Sequence, residues 1–132
     1  MKIKTLLFLF IFAFIGVQLG AVELKMNDSE FIEISNFQDD YIYLGERLQF
    51  KGETEDLFFA GEELDFTGIS KLGIFAVGRN LDFTGNIGNG LVAAGRIINI
   101  SSAINSTNML AAEKININPN SQIHGDSFMA GR

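Results

Sequence analysis

The chain has 132 residues, a formal net charge of -6, a single proline and no cysteine. That length suits one small domain, and the lack of cysteine excludes disulfides, thiolate metal ligands, a cysteine nucleophile and a lipidated lipoprotein start. The acidic balance argues against a nucleic-acid partner, while 47% apolar residues, among them thirteen phenylalanines, exclude a disordered composition.

In chain order, Lys2 and Lys4 precede an apolar run from Leu6 to Val17, and Gly20 and Ala21 follow it. This is the layout of a signal peptide, so a signal-peptide helix is expected over residues 1–21, with cleavage after Ala21 and export to the periplasm or cell envelope. The run is shorter than the roughly 20 residues that span a bilayer. Leu19 stands where a smaller residue is usual before a cleavage site, which keeps an uncleaved N-terminal membrane anchor as the alternative. Residues 22–40 show strand-like alternation in Phe31-Ile32-Glu33-Ile34 without a corner glycine. They are expected to form an N-terminal cap or an irregular first coil, with Glu30, Glu33, Asp39 and Asp40 blunting a strand edge.

From Tyr41 onward one motif recurs. Ile42-Tyr43-Leu44-Gly45, Phe58-Phe59-Ala60-Gly61, Phe75-Ala76-Val77-Gly78, Val92-Ala93-Ala94-Gly95, Met109-Leu110-Ala111-Ala112 and Phe128-Met129-Ala130-Gly131 align, at steps of 16, 17, 17, 17 and 19 residues. Apolar residues follow three and five positions after each of the first five fourth positions, as in Leu64 and Phe66 or Leu81 and Phe83. Period-two alternation in segments this short cannot bury a face alone, so successive copies must stack. The prediction for residues 41–132 is an all-β, single-stranded parallel β-helix, a solenoid with 16–19 residues per coil and an incomplete last coil. The drifting period favours a right-handed helix over the left-handed hexapeptide type. Gly45, Gly61, Gly78 and Gly95 are placed at one corner and Gly52, Gly68 and Gly85 at a second, for positive φ or close backbone approach. Alternation carried through the glycine puts Phe58, Ala60, Leu64, Phe66 and their equivalents inside. Tyr43, Phe59, Ala76, Ala93, Leu110 and Met129 are then expected outside, as an apolar stripe that meets a partner or is covered by the N-terminal stretch.

The chemical motifs are weak beside this repeat. Gly85-Asn86-Ile87-Gly88-Asn89-Gly90 has neither dinucleotide spacing nor a Walker lysine and reads as a turn. His124, the sole histidine, has no nucleophile and orienting partner in the pattern. Asp65, Asp82, Asn99 and Asn116 should stack in one column that hydrogen-bonds along the axis, in preference to binding a metal. Glu46, Glu62, Arg79, Arg96, Glu113 and Arg132 form another, in which Glu62 faces Arg79 and Arg96 faces Glu113. The first half of the chain is the more acidic, which allows head-to-tail attraction between copies. Asn27, Asn99 and Asn105 head glycosylation sequons, meaningful only in a host with that machinery. No catalytic residue, cofactor site or metal site is predicted.

Gly85-Asn86-Ile87 through Ile97-Ile98-Asn99-Ile100, and Gln122-Ile123-His124-Gly125-Asp126 through Gly131, resemble the coils of bactofilins, a bacterial polymer-forming cytoskeletal family. The resemblance extends from about Tyr41 to Arg132 and implies a right-handed β-helix whose ends stack into filaments without nucleotide. The leader and the phenylalanine-rich coils depart from that family, whose typical members lie in the cytoplasm. The expected function is therefore an exported, non-enzymatic structural scaffold that self-associates by end-to-end stacking, with membrane or cell-wall components as further expected partners. The alternative is an exported binding module that presents an outer face to a glycan or envelope protein. Tyr43, Phe59, Leu110, Phe128 and Met129 are the expected assembly or partner surface.

Overall fold

The computed structural model describes the backbone of residues 22–105 and 107–132, and the side chains from Glu33 onward except at residues 37, 38 and 106. The expected signal peptide over residues 1–21 lies outside the described residues. Eleven strands follow in order: β1 (Val22–Ile34), β2 (Phe37–Phe50), β3 (Glu53–Ala60), β4 (Glu63–Phe66), β5 (Ile69–Phe83), β6 (Asn86–Ile87), β7 (Gly90–Ile100), β8 (Ala103–Ile104), β9 (Asn108–Ile117), β10 (Gln122–Ile123) and β11 (Ser127–Ala130). Every pairing between them is parallel, so the described residues form an all-β solenoid in which each coil lies on the one before.

Each regular coil has three legs. The first contains residues 57–60, 74–77 and 91–94, the second 63–66, 80–83 and 97–100, and the third 69–70, 86–87 and 103–104. The register follows the sequence repeat residue by residue: Phe58 pairs with Phe75, Phe75 with Val92, Val92 with Met109 and Met109 with Phe128. The ladder extends upstream of Tyr41. β1 pairs with β2 from Val22 opposite Asp40 to Ile34 opposite Phe50, with a register shift between Asn27 and Phe31. At that corner the three residues Asp28 to Glu30 stand opposite the single residue Glu46, and a bulge absorbs the extra length.

The corners explain the glycines. A Cβ on Gly61 would lie 2.0 Å from the carbonyl oxygen of Gly45, and one on Gly85 would lie 2.0 Å from that of Gly68. Coil backbones touch there with no room for a side chain. Close approach, and not positive φ, is what requires these glycines, because positive φ among the described residues occurs only at Gly125 and Gly131.

Stacking like on like builds the core. On the second leg Leu48, Leu64, Leu81 and Ile98 form one fully buried column and Phe50, Phe66, Phe83 and Ile100 another. Phe50 and Phe66 stack with centroids 5.7 Å apart, and Phe66 meets Phe83 at 6.5 Å in a tilted arrangement. On the first leg the expectation is overturned. Tyr43, Phe59, Ala76, Ala93 and Leu110 point inward and are at most 2% exposed, whereas Phe58 and its equivalents point out. Phe59 and Leu64 are both inward although five residues apart, so the corner at Gly61 and Glu62 uses one residue out of phase and reverses the alternation carried through it.

Candidate interaction surface

The outer side of the first legs is the most unusual surface of the molecule. Phe58 (43% exposed), Phe75 (49%), Val92 (41%), Met109 (52%) and Phe128 (60%) rise one above another on successive coils. Ile42, one coil earlier, is buried. Two residues further along each strand stand Ala60, Val77, Ala94, Ala111 and Ala130, which belong to the same outer side by strand alternation. The face is thus a ridge of large apolar side chains beside a trough made mostly of alanines. Contiguous apolar surface of this kind marks interaction sites more often than isolated exposed residues do.

Of the five residues expected to form this surface, Tyr43, Phe59 and Leu110 are corrected to core positions, Phe128 is exposed on the outer side, and Met129, 43% exposed, lies on Leu110 in register with the inward column. Burial disfavours the ionised Tyr43 phenol and pushes its pKa up, offset in part by the hydrogen bond that the Arg47 amide donates to its oxygen. That hydroxyl donates to Arg47 O at 2.6 Å and accepts from Arg47 N at 3.2 Å, which satisfies a polar atom inside the apolar column.

Beside the ridge, upstream along the strand, lies an open depression of about 280 Å³. Gly73 and Gly90 form its floor because neither carries a side chain; Phe58, Phe75, Val92, Leu72 and Asn89 form its walls. Asp56 closes one end, where its Oδ1 accepts from the Gly73 amide at 2.9 Å. Burial raises the Asp56 pKa, the Gly73 hydrogen bond lowers it, and the neighbouring charge of Asp40 raises it again, for a net upward shift.

The second legs carry the polar column expected from the sequence, with one more member. Asn116 Nδ2 donates to Asn99 Oδ1 at 2.7 Å and Asn99 Nδ2 donates to Asp82 Oδ1 at 2.5 Å. From the other side, Gln49 Nε2 donates to Asp65 Oδ2 at 3.4 Å. Both runs of amides therefore point toward the adjacent carboxylates of Asp65 and Asp82, an arrangement that satisfies acceptors and fixes register. The Asn99 amide is engaged in this ladder and is not displayed as an open glycosylation acceptor.

The corner column also pairs as expected, Glu62 with Arg79 at 3.8 Å and Arg96 with Glu113 at 3.4 Å. Sequence reasoning missed Arg47–Glu63 at 3.8 Å, Lys51–Glu33 at 3.5 Å and the contacts of Lys71 with Glu53 at 3.1 Å and Glu55 at 3.8 Å. The signal was available, since these partners sit 16 to 18 residues apart, one coil length. Exposed pairs like these contribute little to stability, because water and salt screen them.

Other motifs resolve into scaffold. The amides of Asn86 and Gly88 donate to Gly68 O and Ser70 O of the coil below, which occupies the donors a phosphate loop would offer. Thr54 and Ser70 are wholly buried and bond backbone carbonyls, Thr54 to Asp39 O at 2.6 Å and Ser70 to Gly73 O at 2.7 Å. His124 is exposed, its amide donating to Ile104 O at 2.8 Å. Among the described residues no three acidic or histidine side chains gather as a metal site.

These features define a parallel β-solenoid with one apolar and one polar outer face. No protein-family model, curated protein or solved structure matches the chain.

Proposed function

We propose that this protein is an exported structural scaffold of bactofilin-like style, acting by association and not by catalysis, and that the outer side of its first legs is the association surface. The single observation that carries this reading is the ridge of Phe58, Phe75, Val92, Met109 and Phe128, each at least 41% exposed. Leaving that much aromatic and aliphatic surface in water costs on the order of 1 kcal/mol per side chain relative to burial, which association recovers. The test compares the purified protein with Phe75→Ser and Met109→Ser. Sedimentation should show self-association or binding to envelope fractions that both variants lose while circular dichroism stays unchanged. Wild type and variants sedimenting alike as monomers, with no envelope binding by either, would sink the proposal. Cell fractionation tests export, with recovery in the cytoplasm as the contrary result.

End-to-end stacking is the second reading. It is favoured by the sameness of the coil contacts within the chain, where Leu64 lies on Leu81 and Leu81 on Ile98, so a further copy would repeat an interaction already made. Electron microscopy separates the two, since stacked filaments should persist in the Phe75→Ser protein and lateral assemblies should not.

A further inference from the structure

We infer that the partner of the apolar face is a second copy of this chain, set side by side with its solenoid axis parallel and related by a two-fold axis that runs along the solenoid. The inference rests on the reading of this face as an association surface and adds who occupies it and in what orientation.

Shape is the first argument. Large side chains occupy one column, Phe58, Phe75, Val92, Met109 and Phe128, and smaller ones the column two residues on, with Ala60, Ala94, Ala111 and Ala130 broken only by Val77. A two-fold axis between the columns, at the level of Ala76 and Ala93, reverses their order across the interface. The ridge of one copy then enters the trough of the other at every coil, as facing sheets about 10 Å apart require. A two-fold along the strands would set ridge against ridge and leave the troughs empty.

Charge is the second argument, and it comes from different residues. In the parallel arrangement the corner column beyond the trough meets the glycine-floored depression beyond the partner's ridge. Arg79 and Arg96, with side chains 58% and 53% exposed, come level with the floor at Gly73 and Gly90. Long guanidinium arms fit a space that lacks side chains, and the Asp56 carboxylate, one coil before Gly73, is an acceptor for Arg79. Glu62 comes level with Asp56, and its own bridge to Arg79 offsets that repulsion.

Closing the two faces removes on the order of 1,000 Å² in total, at the lower bound for specific interfaces, so the dimer should be a weak one that forms at micromolar concentration or above. The symmetry requires the pair to be isologous, each residue contacting its counterpart's partner.

The chain has no cysteine, which permits a clean cross-linking test. Single-cysteine variants Val92→Cys and Ala94→Cys are mixed and treated with a short bis-maleimide, because facing sheets about 10 Å apart hold the thiols beyond disulfide reach. The parallel two-fold predicts that the mixed cross-link forms faster than either like-with-like one. Dominance of the Val92→Cys homodimer would overturn the orientation. Sedimentation equilibrium supplies the second arm: wild type should dimerise reversibly, Ala94→Phe should weaken the dimer about tenfold or more by filling the trough, and Arg79→Glu should weaken it and abolish its salt sensitivity. A wild-type protein that stays monomeric yet loses envelope binding on Phe75→Ser would refute the homodimer while leaving the association surface standing. Monomeric behaviour with no effect of Phe75→Ser would remove both.

Discussion

The coils up to Phe83 and those from Leu91 onward share one cross-section but fill it differently. The earlier set is packed with rings: Tyr41, Tyr43, Phe50, Phe59, Phe66 and Phe83 are all at most 2% exposed, and Tyr43 lies parallel to Phe59 with centroids 5.6 Å apart. The later set uses Leu91, Ala93 and Ile100 in the same columns. The exchange works because large and small residues compensate between levels. The Phe59 ring reaches toward the next coil, where a Cβ on Gly78 would be only 3.0 Å from it, so Ala76 above needs little volume. Outside, the early coils are held by charges, with Lys51, Lys71 and Arg47 bridged to Glu33, Glu53 and Glu63, whereas the late coils rely more on the amides of Asn99 and Asn116. A solenoid of this kind specifies its backbone by repetition and leaves the filling of each level to local complementarity.

The largest expected effect separates the two sets directly. Phe66→Ala removes a ring wedged between Phe50 and Phe83 and should cost about 4 kcal/mol, while Ile98→Val in the later coils should cost roughly 1 kcal/mol. Urea denaturation of both variants checks this, and equal losses would show that the aromatic levels are no more tightly packed. The corners come next. Gly85→Ala drives a methyl into the Gly68 carbonyl and should cost about 3 kcal/mol; Gly90→Ala, whose Cβ would stay 3.0 Å from Thr107 O, should cost well under half of that. Thermal melts of the pair would show no difference if the corners could relax.

Asn108 offers a gain. It continues the inward column of Leu57, Ile74 and Leu91, is fully buried, and donates to Ser127 Oγ at 2.9 Å, but its Oδ1 has no hydrogen-bond partner among the described residues. Asn108→Leu should stabilise the protein by about 1 kcal/mol, since burying an unmet acceptor costs more than one such bond returns. A loss of stability in that variant would mean that the Ser127 contact matters more than the column.

The smallest effect concerns pH. Burial, ahead of the Asp40 charge, raises the Asp56 pKa above its ordinary 3.8 in spite of the Gly73 hydrogen bond. The folded state therefore holds this proton more tightly than the unfolded chain, and its contribution to stability is full below pH 3.8 and lost as pH rises through the folded-state pKa. Asp56→Asn keeps an acceptor for Gly73 and removes the ionisation. It should be slightly more stable than wild type at pH 7, with the margin shrinking as pH falls toward 3.8. A margin that grows on acidification would contradict the sign of the shift.

Repeat length, register and the stacked columns follow from the sequence alone, because in a solenoid residues one period apart must be neighbours. Glu62 with Arg79, Arg96 with Glu113 and Asn99 with Asp82 were all legible in this way. So was the inward side of the second leg, where Leu64 and Phe66 alternate with Glu63 and Asp65 and polarity decides the matter. On the first leg both alternating sets are apolar, Phe58 with Phe75 and Phe59 with Leu110, so no polarity difference marks the inside. Only the tertiary structure decided it. The turn at Gly61 and Glu62 consumes an odd residue, and that parity sends Phe59 into the core and leaves Phe58 on the face we assign to association.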